Sequence, residues 1–328
     1  MTYVVIRHNN GNIKMSSLKG IIKDTVDCDS ECESLSAGCD FVGEITTEPA
    51  KGETKVLKVS IIRRIKEFRL KDLEVDNIPG YIDVACLRNG RIVIADYKNS
   101  RCCLCSSSYQ HLSEFKLSSK PWSVCPIDTN EVAIVLPDEN KIQLLRVDDS
   151  IQPSGIVKTT RACVAVVALS RNEFVFCDSG TNTDMTIYWG VIAKDGREKS
   201  CFHFSSDNMH SRTVYLALNS AKTQVYISCS ATKSVLCFAL NGKKKFEYKF
   251  ENSCPKGIDL DSQDNVYVVL HESNSICLLS PDGHLHRTFT SHIPSFPIAL
   301  SFKISGNEFI LTNGSETERM ICYVYQLA

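Results

Sequence analysis

The chain has 328 residues, 43 % of them hydrophobic and 23 % charged, with a formal net charge of −1. That balance is ordinary for a globular protein and gives no general attraction to a polyanion, so a DNA ligand is not expected. No apolar run nears the roughly 18 residues that cross a bilayer, and the opening MTYVVIRHNNGNIK lacks the apolar core of an export signal.

The sixteen cysteines would suggest a disulfide framework in a small secreted protein. Here most lie inside apolar runs such as CCLC, VLCF, SICLL and MICYVY, where a reduced thiol packs as a small hydrophobe. Free thiols in a reducing compartment, the cytoplasm, are therefore expected, and no membrane contact is.

In chain order, residues 1–55 read as an irregular connecting segment. Only SSLKGIIKDTV has a plausible helical face there, and it is short. The stretch CDSECESLSAGC spaces Cys28 and Cys32 as zinc ligands are spaced. Cys39 has no close partner, and structural zinc needs four ligands, so a polar lead-in is the preferred reading.

Residues 56–328 repeat. An apolar strand, a polar turn and a second apolar strand recur as RIVIADYKNSRCCLC, EVAIVLPDENKIQLL, EFVFCDSGTNTDMTIYWG, QVYISCSATKSVLCF, NVYVVLHESNSICLL and EFILTNGSETERMICYV. Consecutive copies begin about 40 to 50 residues apart, the period of propeller blades. A further strand precedes each copy, from YIDVACL to PIALSFK. A more polar strand follows five of them, as in HLSEFKL, EKSCFHF, KFEYKF and HLHRTF.

Inner strands that are apolar on both faces must be covered on both, whereas the charged last strand meets water. Only a ring of neighbouring sheets covers them all. The sixth copy ends without its outer strand, and SIIRRIKEFRL, from Ser60 to Leu70, has the missing pattern ahead of the first copy. The expectation is an all-β, six-bladed propeller closed by that N-terminal strand.

The copies lack the Gly-His and Trp-Asp marks of WD repeats. PKGIDLDSQDNVYVVLHESNSICLLSPDGHLHRTF and GYIDVACLRNGRIVIADYKNSRCCLC resemble NHL repeats. The order of SAGCDFVGEITTEP before the propeller resembles the C-terminal part of invertebrate tripartite-motif (TRIM-NHL-like) proteins. That resemblance implies a propeller that selects a partner, as the recognition end of a ubiquitin-ligase system, or one that binds single-stranded RNA. The RING and B-box zinc modules of such proteins have no counterpart in this sequence, so ligase activity is not expected of these residues.

Catalytic, metal and binding sites leave different marks in a sequence. No nucleophile motif, phosphate loop or HExxH is present. Some six-bladed propellers are cation-dependent lyases or lactonases, and Asp83, Asp96, Asp178 and Asp259 are the carboxylates that would approach a central channel. Ordinary turn chemistry also explains them. His284 and His286 share a strand face but make a weak metal site alone, and strand packing is the preferred reading of Cys102, Cys103 and Cys105. No catalytic residue, metal or cofactor is therefore assigned.

Binding remains. Turns between second and third strands, together with the links between blades, share one face of the ring. That face is expected to carry Tyr97, Lys98, Arg101, Lys120, Trp122, Lys233, Lys256 and His271. Aromatic and cationic side chains are frequent anchors for a protein partner and serve single-stranded RNA as stacking and phosphate groups. Asp138, Glu139, Asp178, Glu272 and Glu316 lie in equivalent turns and dilute the positive charge, so a protein partner is preferred and RNA is the alternative.

Overall fold

A computed structural model describes residues 4–9, 12–17, 26–27, 62–70, 80–178, 186–205, 213–314 and 321–327. The chain divides into two units, Met1–Arg63 with Leu327–Ala328 and Arg64–Gln326.

In the first unit β1 (Val4–Asn9), β2 (Asn12–Ser17) and β3 (Val26–Asp27) form an antiparallel sheet. The sequence joining β1 to β2 is Asn-Gly, the pair that favours a two-residue hairpin turn. The irregular lead-in expected here therefore contains a small sheet, and β2 ends inside SSLKGIIKDTV. Cys28, Cys32 and Cys39 lie outside the described residues.

The second unit holds six four-stranded antiparallel sheets, completed by β4 (Ile62–Arg69). Blade 1 is β5 (Tyr81–Cys86), β6 (Ile92–Asp96), β7 (Arg101–Cys105) and β8 (His111–Lys116). Blade 2 is β9 (Ser123–Pro126), β10 (Glu131–Leu136), β11 (Lys141–Val147) and β12 (Ile151–Lys158). Blade 3 follows as β13 (Cys163–Ala168), β14 (Glu173–Asp178), β15 (Thr186–Ala193) and β16 (Glu198–Ser205). Blade 4 is β17 (Val214–Leu218), β18 (Gln224–Cys229), β19 (Ser234–Ala239) and β20 (Lys244–Lys249). Blade 5 is β21 (Pro255–Leu260), β22 (Val266–Leu270), β23 (Ser275–Leu279) and β24 (Leu285–Phe289). Blade 6 is β25 (Pro297–Phe302), β26 (Glu308–Asn313) and β27 (Ile321–Leu327), and its outer strand is β4.

The first strands of all six blades touch one another in sequence, and β25 returns to β5, so the ring is closed. Burial follows the gradient read in the sequence: β6, β7, β22 and β23 are buried at every position, whereas β8 and β16 alternate. The apolar core lies between blades. One cluster joins blades 1 and 2 through Val93, Leu104, Ile134 and Leu145, and another joins blades 3 and 4 around Trp189. Every cysteine among the described residues is a free thiol, and all but Cys201 and Cys254 are buried. Among the described residues no helix is long and apolar enough to cross a membrane.

Inner strands approach closely where the side chain is absent. A Cβ on Gly257 of β21 would lie 2.5 Å from the Ala299 Cα of β25, so the junction of blades 5 and 6 tolerates only glycine there without moving a strand.

Candidate functional site

The antiparallel topology puts the turns between second and third strands, and the links between blades, at one end of the ring. The residues expected there fall into three groups at three blade junctions. At the junction of blades 1 and 2, Tyr97 meets Trp122 edge-on, with ring centroids 5.9 Å apart. Lys120 sets its Nζ 4.9 Å from the Tyr97 centroid, a cation–π contact. Lys98 is exposed, and its stem lies against Gly80.

Arg101 is placed differently. It is buried, its Nε donates to Asp96 Oδ2 at 3.0 Å and its Nη1 donates to Glu114 Oε2 at 2.6 Å. It starts β7 directly after the turn, paired with Asp96 at the end of β6.

At the junction of blades 4 and 5, Lys233 is exposed. Lys256 donates from Nζ to Thr213 Oγ1 at 2.9 Å, and burial pushes its ammonium below the ordinary lysine range. At the junction of blades 5 and 6, His271 donates from Nδ1 to the Pro297 carbonyl at 2.9 Å. Its ring lies 5.4 Å from that of Phe296.

Phe296 was not singled out in the sequence. It is 49 % exposed and sits at φ +52°, a left-handed conformation that a bulky residue adopts at a cost of about 1–3 kcal/mol. Asn274 Oδ1 holds it there by accepting the Phe296 N–H at 2.7 Å. The signal available in the sequence was IPSFP, an aromatic between prolines in a link between blades.

The carboxylates expected near the channel separate into two kinds. Asp96 and Asp178 end second strands, one layer out from the axis. Asp96 accepts the Gly80 N–H at 3.0 Å, and Asp178 accepts the Tyr188 N–H at 2.8 Å; both fasten turns. Asp83 and Asp259 lie on inner strands and line a cavity of about 420 Å³ at the opposite end of the ring from the aromatic groups. Arg88 and Lys222 line it as well.

Each of these two carboxylates bridges to the next blade. Asp83 accepts N–H bonds from Val84 and, across the junction, Val124, both at 2.9 Å. Asp259 accepts from Leu260 at 2.9 Å and from Phe302 of blade 6 at 2.8 Å. Ser301 repeats the pattern with a hydroxyl, its Oγ accepting the Cys86 N–H at 3.1 Å. Inner-strand amides that face the axis would otherwise be unpaired.

Tyr215 spans the centre. It is buried, and its hydroxyl donates to the Ile82 carbonyl at 2.9 Å, joining blade 4 to blade 1 on the far side of the ring.

Burial pushes Asp83 from its ordinary 3.8 up to about 7, against the pull of its backbone donors, and the Asp259 carboxylate adds to the rise. Burial likewise raises Asp259 to about 6. Between the unfolded value and these folded values the native state holds more protons than the unfolded chain, so stability from these groups falls as pH rises through that window. The thermal midpoint should therefore be higher near pH 5 than near pH 8. The Asp83→Asn, Asp259→Asn double variant should lower the midpoint at both, because each amide leaves a backbone N–H without its acceptor, yet shrink the difference. An undiminished difference in the double variant would refute this assignment.

No family model matches the sequence, and no curated protein sequence matches it. Solved structures do match in fold. The virginiamycin B lyase of Staphylococcus aureus is 15 % identical with a TM-score of 0.56, over 82 % of this chain and 100 % of that one. A streptogramin B lyase is 12 % identical with a TM-score of 0.57, over 82 % and 98 %. The β-propeller domain of Cps50 (Swd1) from Myceliophteria thermophila is 9 % identical with a TM-score of 0.54, over 76 % and 84 %. At these identities the likeness is one of fold alone.

Proposed function

We propose that the chain is a non-catalytic recognition propeller that engages a protein partner through the end carrying Tyr97, Trp122 and Phe296. With the NHL-like repeats, this reading makes it the target-selecting end of a tripartite-motif-type ubiquitin-ligase system. The observation that carries it is Phe296, a half-exposed aromatic held at positive φ by Asn274 and flanked by His271. A strained, exposed aromatic is retained where it contacts something.

The RNA reading needs free cations on this end. Arg101 is consumed by Asp96 and Glu114, and Lys256 is tied to Thr213, which thins the field available to phosphates. The lyase reading needs carboxylates free to turn toward a cation, whereas Asp83 and Asp259 are each held in place by backbone donors from two blades.

Quantitative affinity capture with the full chain and with a Trp122→Ser, Phe296→Ser variant tests the proposal. Loss of two anchors should cost more than about 2 kcal/mol, roughly 30-fold in affinity. Half-buried Trp122 packs on the blade 3–4 cluster, so the double variant should also melt lower, whereas Phe296→Ser alone, at a half-exposed position, should weaken capture with the melting midpoint nearly unchanged. Partners recovered equally by both proteins would reject this face. An RNA gel shift that weakens steeply with salt and disappears on Lys120→Ala would replace the protein partner with RNA.

A further inference from the structure

We propose that Cys103, His111 and Glu114 form a zinc site at the outer edge of blade 1, with water as the fourth ligand. The three residues sit on the paired strands β7 and β8, where Cys103 faces Glu114 and Cys105 faces His111. Residues three apart on a regular strand point to opposite faces. Here the register shifts between Leu104 and Cys105, so that Leu104 pairs with Ser113 and Cys105 with His111. Leu112 is the extra residue of a β-bulge, and it is turned outward, 44 % exposed. The bulge returns His111 to the face that carries Glu114 and Cys103, a re-aiming for which bulges are known. The sulfur, the ring nitrogen and the carboxylate oxygen lie within 4.8 Å of one another.

The bulge is not special to blade 1, but its occupants are. Blades 2, 3, 4 and 5 shift register at the same place between third and fourth strands. The equivalent residues are Leu236, Glu247 and Lys244 in blade 4 and Cys277, Thr288 and Leu285 in blade 5. None of the four places three ligand types together. A common backbone device has thus been given a donor set in one copy.

The set suits zinc. A borderline-soft ion accepts thiolate, imidazole and carboxylate together, and three protein ligands leave one position for water. Bonds of about 2.0–2.3 Å put the ligands of a tetrahedral ion roughly 3.5 Å apart, so small rotations of half-buried His111 and exposed Glu114 close the site on buried Cys103. Coordination takes cysteine as thiolate, and its proton leaves to solvent.

The surroundings supply a second, independent indication. Arg101 Nη1 fixes one oxygen of Glu114 at 2.6 Å and is itself anchored by Asp96 at 3.0 Å, an outer partner that orients a ligating carboxylate. Nη2 of the same guanidinium is buried and has no hydrogen-bond partner among the described residues. Buried donors are seldom left so, and a solvent oxygen lodged beside the ion would accept from it. With thiolate and two carboxylates set against the guanidinium and a divalent ion, the cluster is neutral.

The full chain, stripped with chelator and reloaded with cobalt(II) or zinc, tests the site. Cobalt should give a thiolate-to-metal charge-transfer band, and zinc should raise the melting midpoint. His111→Gln, at a half-buried position that does not threaten folding, should weaken zinc at least tenfold, the low end of what outer partners alone contribute. Cys201→Ser, at an exposed thiol, should change neither signal. Absence of the band, or a band and a zinc-induced midpoint shift that survive His111→Gln, would overturn the proposal.

Discussion

A chain beginning at Leu73 is expected to lose its cooperative thermal transition, while one beginning at Ser60, which retains β4, serves as the reference. The cause is the position of β4 as the outer strand of blade 6, beside β27. Its Phe68, and Leu70 just after it, are buried in the same cluster as Cys322 and Val324 of that blade. Phe68 also packs on Tyr109 of blade 1, with ring centroids 5.1 Å apart, so the strand fastens blade 6 to the next blade as well as completing it. Truncating a buried phenylalanine alone costs about 3–5 kcal/mol, against a total stability of about 5–15 kcal/mol for a domain. Removal of the whole strand adds an unpaired edge on β27, which also invites aggregation. Scanning calorimetry of the two chains reads the outcome directly, and an equal midpoint and enthalpy for both would show that the ring does not depend on this strand.

The second large effect is expected at Trp189. It is fully buried between blades 3 and 4, with its ring 4.9 Å from Phe202 and 5.1 Å from Phe238. Trp189→Ala should cost about 3–5 kcal/mol. Trp189→Phe should cost much less than the change in side-chain volume suggests. The indole Nε1 is buried without a hydrogen-bond partner among the described residues, and an orphaned donor of this kind carries a penalty of about 1–3 kcal/mol. A phenyl ring removes that penalty while keeping the aromatic contacts. Urea midpoints of the three proteins give the comparison, and a Phe variant as unstable as the Ala variant would mean that the indole is satisfied in solution.

The ring was legible because it rests on periodicity. Strands such as IVIAD and VYVVL, apolar on both faces, can only be interior, and charged HLSEFK can only be rim. The spare strand at Ile62–Arg69 was found by the same count. The site was less legible because a turn residue's role depends on what lies across the blade junction. Arg101 and Lys98 are near neighbours in one turn, yet the first is buried between carboxylates and the second is in solvent. Asp83 and Asp96 are each an aspartate in a strand, and only their layer separates the channel from the rim. The convergence of His111 and Glu114 on Cys103 was hidden for a different reason. A bulge shifts the alternation by one residue, and strict period-two reading then assigns one of the pair to the wrong face.

The phenol of Tyr215, bonded to the carbonyl of Ile82 on the opposite side, lays a tie across the middle of the ring. Two blades three places apart in the chain are thereby held at a fixed span, and whatever enters from the cavity meets that tie before it reaches the far end.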